Sequence, residues 1–206
     1  MTQKILSSLA LLGALALSVN AGTLAFDFED PKGVNNIVFT LDAPLESISG
    51  TGNGITGKVH FNPEDPSALT GSIVLDAKSL TVTNPVMKSH MHGAGWLDTD
   101  THDTIAFEAK EVMQVEANGT SMKAHVKGHL TLRGVTKELT VPVTMTYLPG
   151  KLGARSNGAM EGDLLVLRSQ FVVNRSDFGI KPGQATDKVA EEIVIRMALA
   201  GAAPKS

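Results

Sequence analysis

The 206-residue chain contains no cysteine, one tryptophan and one tyrosine. Without thiols there is no disulfide framework and no cysteine nucleophile, so the fold must hold by its core alone. Aromatic residues make up only 4% of the chain, and the net charge is -3 with both signs interspersed. A basic stripe of the kind that grips nucleic acid is missing, which leaves nucleic acid out of the expected partners. Only one long apolar run exists, and it lies at the start. Residues 1–21 combine Lys4, an apolar stretch from Ile5 to Val19, and the small-residue site Val19-Asn20-Ala21. This is the pattern of a secretory signal peptide. The stretch falls short of the roughly 20 residues a membrane span needs. The expected organisation is a signal peptide over 1–21 and one domain over 22–206, in a periplasmic or secreted protein.

Recognisable catalytic patterns are also missing. No G-x-S-x-G elbow occurs. "GTGNG" at 50–54 is followed by strand-like residues, whereas a dinucleotide fingerprint opens a helix. It reads as a turn. "DTDTHD" at 98–103 starts like a calcium loop but has Asp103 and Ala109 where Gly and Glu are required. His125 and His129 lie in an alternating run. On a strand, four residues span about 13 Å, too far for two ligands of one ion. His90 and His92 diverge if helical. Neither a metal nor a cofactor is expected.

What the chain does have is alternation. In "TSMKAHVKGHLTLRGVTKELTVPVTMTY" (120–147) every second residue is apolar. Asn118-Gly119 predicts a two-residue type I′ turn. That turn would set Ala117 opposite Thr120, Val115 opposite Met122, Ala109 opposite Gly128 and Phe107 opposite Leu130. Glu111 then falls on the apolar face, which a bulge or a barrel mouth would excuse. Across the next turn, Leu132 is expected to face Leu139, and Gly128 to face Val143. A mid-sheet Gly128 marks a bend or a close approach of something else, read here as curvature for a barrel or as room for a ligand. Further strands are expected at 34–41, 55–61, 71–77, 163–171 and 189–199. Many alternating strands with turns between them argue an antiparallel all-β sandwich or barrel. "NPVMKSHMHGAGWLD" (84–98) breaks the rhythm. Asn84 as N-cap, Pro85 in the first turn and Gly93 or Gly95 at the end predict a short helix across one end of the sheet.

Three stretches resemble the YceI-like family of secreted lipid-binding proteins: "GHLTLRGVTKELTVPV" (128–143), "RSDFGI" (175–180) and "SHMHGAGWLDTDTHDTIAFEAKEV" (89–112). "GSIVLDAKSLTV" (71–82) fits the same pattern. The resemblance implies an extended, lipocalin-like antiparallel β-barrel of about eight strands with a short helical cap. It further implies an elongated apolar ligand inside: a polyisoprenoid, an isoprenoid quinone or another long-chain lipid. A membrane surface met during ligand exchange and a second copy of the chain are further candidate partners. Two departures concern the ligand's head-group end. Asn35-Asn36 stand where the family often has His-Ser, and Trp96-Leu97 stand where it has an aromatic pair.

Strand parity gives the expected tunnel lining: Ile37, Phe39, Leu41, Ile73, Leu75, Ile105, Phe107, Leu130, Leu132, Val141 and Val143. Met87, Met91, Trp96 and Leu97 are expected to cap it. His90 and Arg175 are the candidate polar contacts at the mouth. In "RSDFG" (175–179), Arg175 either pairs with Asp177 to fix a turn or meets a head group. Small inward residues and adaptable methionines would leave room for a flexible chain. Two other functions compete with a non-enzymatic carrier. One is an enzyme acting on lipid in the same cavity. The other is an adaptor whose barrel is filled by side chains.

Overall fold

A computed structural model describes residues 22–205, so the signal-peptide reading of 1–21 lies outside the described residues. Among the described residues there are eleven strands: β1 (Leu24–Asp27), β2 (Asn36–Asp42), β3 (Ser47–Gly52), β4 (Ile55–Asn62), β5 (Asp65–Asp76), β6 (Thr81–Val82), β7 (Thr104–Asn118), β8 (Ser121–Leu132), β9 (Val135–Leu148), β10 (Gly162–Asn174) and β11 (Glu192–Pro204). Two α-helices, α1 (Pro85–His92) and α2 (Leu152–Arg155), join them. Eight strands close into an antiparallel ring in the order β1-β4-β5-β7-β8-β9-β10-β11, sealed where Asp27 of β1 pairs with Ala202 of β11. The first half of β11 pairs with β2 instead, and β3 and β6 follow β2. One end of the ring therefore carries an extra three-stranded wall.

The β7–β8 turn differs from the type I′ turn expected. Asn118 pairs with Ser121, so Gly119 and Thr120 are central. Only Gly119 has positive φ there (60°), the pattern of a type II′ turn. Ala117 consequently faces Met122. Two irregularities in β7, between Met113 and Glu116 and between Ala109 and Glu111, each absorb one residue. The expected register is restored by Ala109↔Gly128 and Phe107↔Leu130. The second bulge turns Glu111 outward while Val112 stays buried, so the one charge on the apolar face is removed from it.

The β8–β9 turn is tighter than expected. Arg133 and Gly134 form a two-residue loop with φ of 51° and 71°. Leu132 meets Val135, Leu139 meets Gly128, and Val143 meets Ala124. The shift of four residues is even, so the apolar face is preserved. Gly128 proves to be a close approach. A Cβ there would lie 2.6 Å from the Phe107 ring and 2.4 Å from the Glu108 carbonyl oxygen. Phe39 lies against Gly50 and Phe28 against Gly201 in the same way, each ring filling the space over a glycine. Gly50 and Gly52 belong to β3, so "GTGNG" is strand first and turn only at its end.

One end of the ring is solid. Phe26, Phe28 and Phe61 are fully buried there, each contributing about 1.5–3 kcal/mol. Tyr147 joins Phe26 and Phe61 at centroid distances of 6.2–6.3 Å. Its hydroxyl donates to Asp163 at 2.7 Å, and the Gly150 N–H donates to the other carboxylate oxygen at 2.8 Å. Burial, the hydrogen bond to Asp163 and that residue's charge push the Tyr147 pKa up to about 12. For Asp163, burial pulls upward. The hydrogen bonds from Tyr147 and Gly150 and the charge of Lys205 outweigh it and hold the carboxyl below its usual range.

A raised folded-state pKa means that Tyr147's contribution to stability is complete below the ordinary tyrosine value, about 10. It is lost as pH rises through about 12. Because Tyr147 is the sole tyrosine and the Trp96 indole does not titrate, the pH-dependent rise in near-ultraviolet absorbance reads Tyr147 alone. The folded protein is expected to form phenolate near pH 12 and the denatured chain near pH 10. Coincident curves would remove the hydrogen bond from this account. Asp163 acts at the opposite extreme: its contribution is present above the ordinary aspartate value and lost as pH falls through its lowered one.

Candidate functional site

The other half of the barrel is hollow. A chamber of about 520 Å³ lies between the upper strands and the cap, within the range of ordinary ligand pockets. Its walls come from alternate residues of β2, β5, β7, β8, β10 and β11, because strand side chains alternate between faces. Ile37, Phe39, Leu41, Ile73, Leu75, Ile105, Phe107, Leu130 and Leu132 all line it. Met87, Met91, Trp96 and Leu97 face it from the cap, and His90 borders it.

Val141 and Val143 do not line this chamber. They lie deeper, around a separate cavity of about 70 Å³. Their parity is inward as expected, but the four-residue register shift carries them toward the solid end. The interior is thus a blind chamber and not a through tunnel.

Several lining residues are absent from the expected set. Phe171 and Val173 on β10, and Ile193 and Ile195 on β11, follow the same alternation and were readable from it. Ile48 and Val82 come from β3, which glycines interrupt, and from β6, which is two residues long; neither gave a clear strand signal. The polar lining is confined to Glu46, Asn84, His90, Arg175 and Lys188.

The cap is built by local rules. The Asn84 side-chain oxygen accepts from the Val86 and Met87 N–H groups at 2.9 and 3.1 Å, Pro85 opens α1, and Gly93 closes it. No residue of α1 is buried, so the helix lies over the chamber as a thin cover. Arg133, at the tip of the β8–β9 hairpin, fastens it. Its guanidinium donates to the carbonyls of Gly179 at 3.2 Å and Ala94 at 3.1 Å.

Arg175 is corrected on both expectations. It neither pairs with Asp177 nor is free to meet a head group. It is completely buried. Nε donates to Ala190, Nη1 to Ile180 and Lys181, and Nη2 to Gln184 and Val189, all through backbone carbonyl oxygens. Glu191 supplies a carboxylate 3.8 Å from Nε. A guanidinium has five N–H groups, and all five are used. Arg175 therefore shapes the 180–190 loop into one side of the mouth. The Trp96 ring stacks beneath two cations, its centroid 5.8 Å from the Arg175 guanidinium carbon and 5.0 Å from Lys181 Nζ.

Asn35 is likewise removed from the mouth. It is 2% exposed. Its amide donates to the carbonyls of Phe28 at 3.0 Å and Ala200 at 3.2 Å, and its oxygen accepts from the Ala200 N–H at 2.8 Å. These partners lie at the solid end, so a change at 35 does not bear on the chamber opening.

Comparison with known proteins agrees with this geometry. A family model described as "YceI-like domain" matches residues 20–200. A UPF0312 protein of Pseudomonas paraeruginosa is 29% identical over 184 residues, 88% of this chain and 89% of the relative. Among solved structures, Burkholderia cenocepacia BcnA superposes with a TM-score of 0.65 at 21% identity, over 81% of this chain and 95% of that one. A protein titled a polyisoprenoid binding domain from Saccharophagus degradans, implicated in plant cell wall breakdown, also gives 0.65, at 14% identity over 88% and 99% of the two chains. The structural likenesses show the shared barrel, and the family match spans nearly all of it: the chain belongs to the YceI-like domain family.

Proposed function

We propose that this protein is a non-enzymatic carrier of an elongated apolar ligand, of isoprenoid or long-chain lipid type, and that it works outside the cytoplasm. The observation that carries this reading is the chamber of about 520 Å³ whose walls are almost entirely hydrocarbon. Burial of a lipid tail contributes about 0.8 kcal/mol per methylene, so roughly ten methylenes outweigh the ordering cost of binding. Apart from Arg175, whose donors are all used, the few polar residues (Glu46, Asn84, His90 and Lys188) sit on the cap or on loops, where a ligand's head group would lie. The solved barrel titled a polyisoprenoid binding domain supports the ligand class. The leader-like residues 1–21 support the location. A filled barrel, as an adaptor would need, is at odds with the hollow half. Exchange is read as occurring at a membrane surface, because Val86 is 62% and Leu45 67% exposed on elements that border the mouth.

Trp96 makes the reading testable. It is the sole tryptophan and it faces the chamber. Titration with polyprenols or isoprenoid quinones is expected to change its emission saturably, near one equivalent, and to raise the melting temperature in parallel. If neither emission nor melting temperature responds to any member of either class, the carrier reading is wrong.

A further inference from the structure

The chamber and the small deep cavity share three lining residues: Ile73, Phe107 and Phe171. Ile73 on β5 pairs across the strands with Phe107 on β7. Phe171 stands on β10, four strands from β5 in the ring of eight and hence on the opposite wall. Below this level the deep cavity is bordered by Val126, Val141, Val143, Ala109 and Met197 and is as apolar as the chamber above. Two apolar spaces on one barrel axis are thus parted by one layer of side chains. Phe107 is fixed in that layer by Gly128. Its ring occupies the space where a Cβ at 128 would sit, 2.6 Å from the nearest ring atom. A bulkier residue at 128 would displace the ring.

We propose that Ile73, Phe107 and Phe171 form a floor that sets the longest apolar chain this protein accepts. This rests on the carrier reading and gives it a length limit. A single linear or isoprenoid tail enters from the capped end and stops at the floor. A longer chain must leave its remainder at the mouth, in water. The deep cavity of about 70 Å³ then marks where the chain would continue if the floor were removed. The geometry makes chain length, not head-group chemistry, the main basis of selection, because no polar residue borders the lower part of the chamber.

The test uses saturated fatty acids of increasing length, with Trp96 emission as the readout. In the wild type, affinity should rise about fourfold per added methylene and then stop rising at a definite length. Phe171→Ala and, separately, Phe107→Ala should move that break to longer chains, so that affinity keeps rising past the length at which it stops in the wild type. Phe171→Leu, a milder truncation, should move it less and covers the event that either alanine variant fails to fold. Adding Ala109→Leu to Phe171→Ala refills the deep cavity and should bring the break back. A break unmoved in folded floor variants would overturn the floor while leaving the carrier reading intact. Failure of every acid to bind the wild type, with no response to polyprenols or quinones either, would sink the carrier reading itself and the floor with it.

Discussion

Replacing Arg175 with alanine is expected to cost about 4 kcal/mol of folding stability, among the largest effects a single substitution produces. The side chain is fully buried and satisfies five backbone carbonyls. Each carbonyl left unpaired in a buried site costs about 1–3 kcal/mol, partly relieved as the 180–190 loop loosens and admits water. Arg175→Lys should recover little of the loss. An ammonium has three donors around a point and cannot span carbonyls arranged about a planar fork. Chemical denaturation of both variants measures the cost, and hydrogen exchange locates it. Backbone amides of the loop, such as Val189 and Ile180, should lose protection first. A lysine variant of near wild-type stability would show that one charge suffices and that the fork geometry is not the cause. Because the same loop borders the chamber, ligand affinity should fall in both variants even where the barrel still folds.

Filling the chamber should separate binding from folding. Ile195 faces the hollow half, beside Phe39 on the neighbouring strand. A tryptophan at this position would extend into open space and not into packed core. Most small-to-large core changes cost about 1–3 kcal/mol through strain. Here Ile195→Trp is expected to leave the melting temperature within a few degrees of wild type. By excluding three or four methylenes of ligand, each worth about 0.8 kcal/mol, it should weaken polyprenol binding about 100-fold. Calorimetric titration provides the affinity. Unchanged affinity would mean that the ligand lies elsewhere. A large loss of stability would mean that the chamber is narrower than its walls indicate.

Much of this barrel is legible in the chain, for reasons particular to each element. The β8 strand stands out because its inward residues alternate without error from Met122 to Leu132, β9 does so from Leu139 to Tyr147, and β7 is broken only around its bulges. The α1 helix is marked at both ends, by Asn84-Pro85 and by Gly93. Register is harder to read. Asn118-Gly119 and Gly119-Thr120 are both acceptable turn centres, and the choice depends on bulges at Ala109/Glu111 and Met113/Glu116 that only the pairing of whole strands decides. The placement of Glu111 on the apolar face in the unbulged register was the one local sign that a bulge was needed. At Arg133-Gly134, an arginine at positive φ hid the tight turn, since turns of this type favour Asn, Asp or Gly. The chamber walls followed from parity because an even register shift keeps every side chain on its face. Depth did not follow, and so Val141 and Val143 moved from the chamber to the cavity below it. Arg175 was misread for a different reason. Its partners are backbone carbonyls of a loop 5–15 residues away, and a carbonyl leaves no trace in the identity of the residue that carries it.

The most direct test of the carrier claim is native mass spectrometry of the protein purified from its own cells without detergent, beside an aliquot extracted with organic solvent. The account predicts a stoichiometric adduct on the intact protein that disappears on extraction and is recovered in the organic phase as an isoprenoid or long-chain lipid. A bare polypeptide mass, together with no thermal shift on adding polyprenols, isoprenoid quinones or fatty acids, would contradict it.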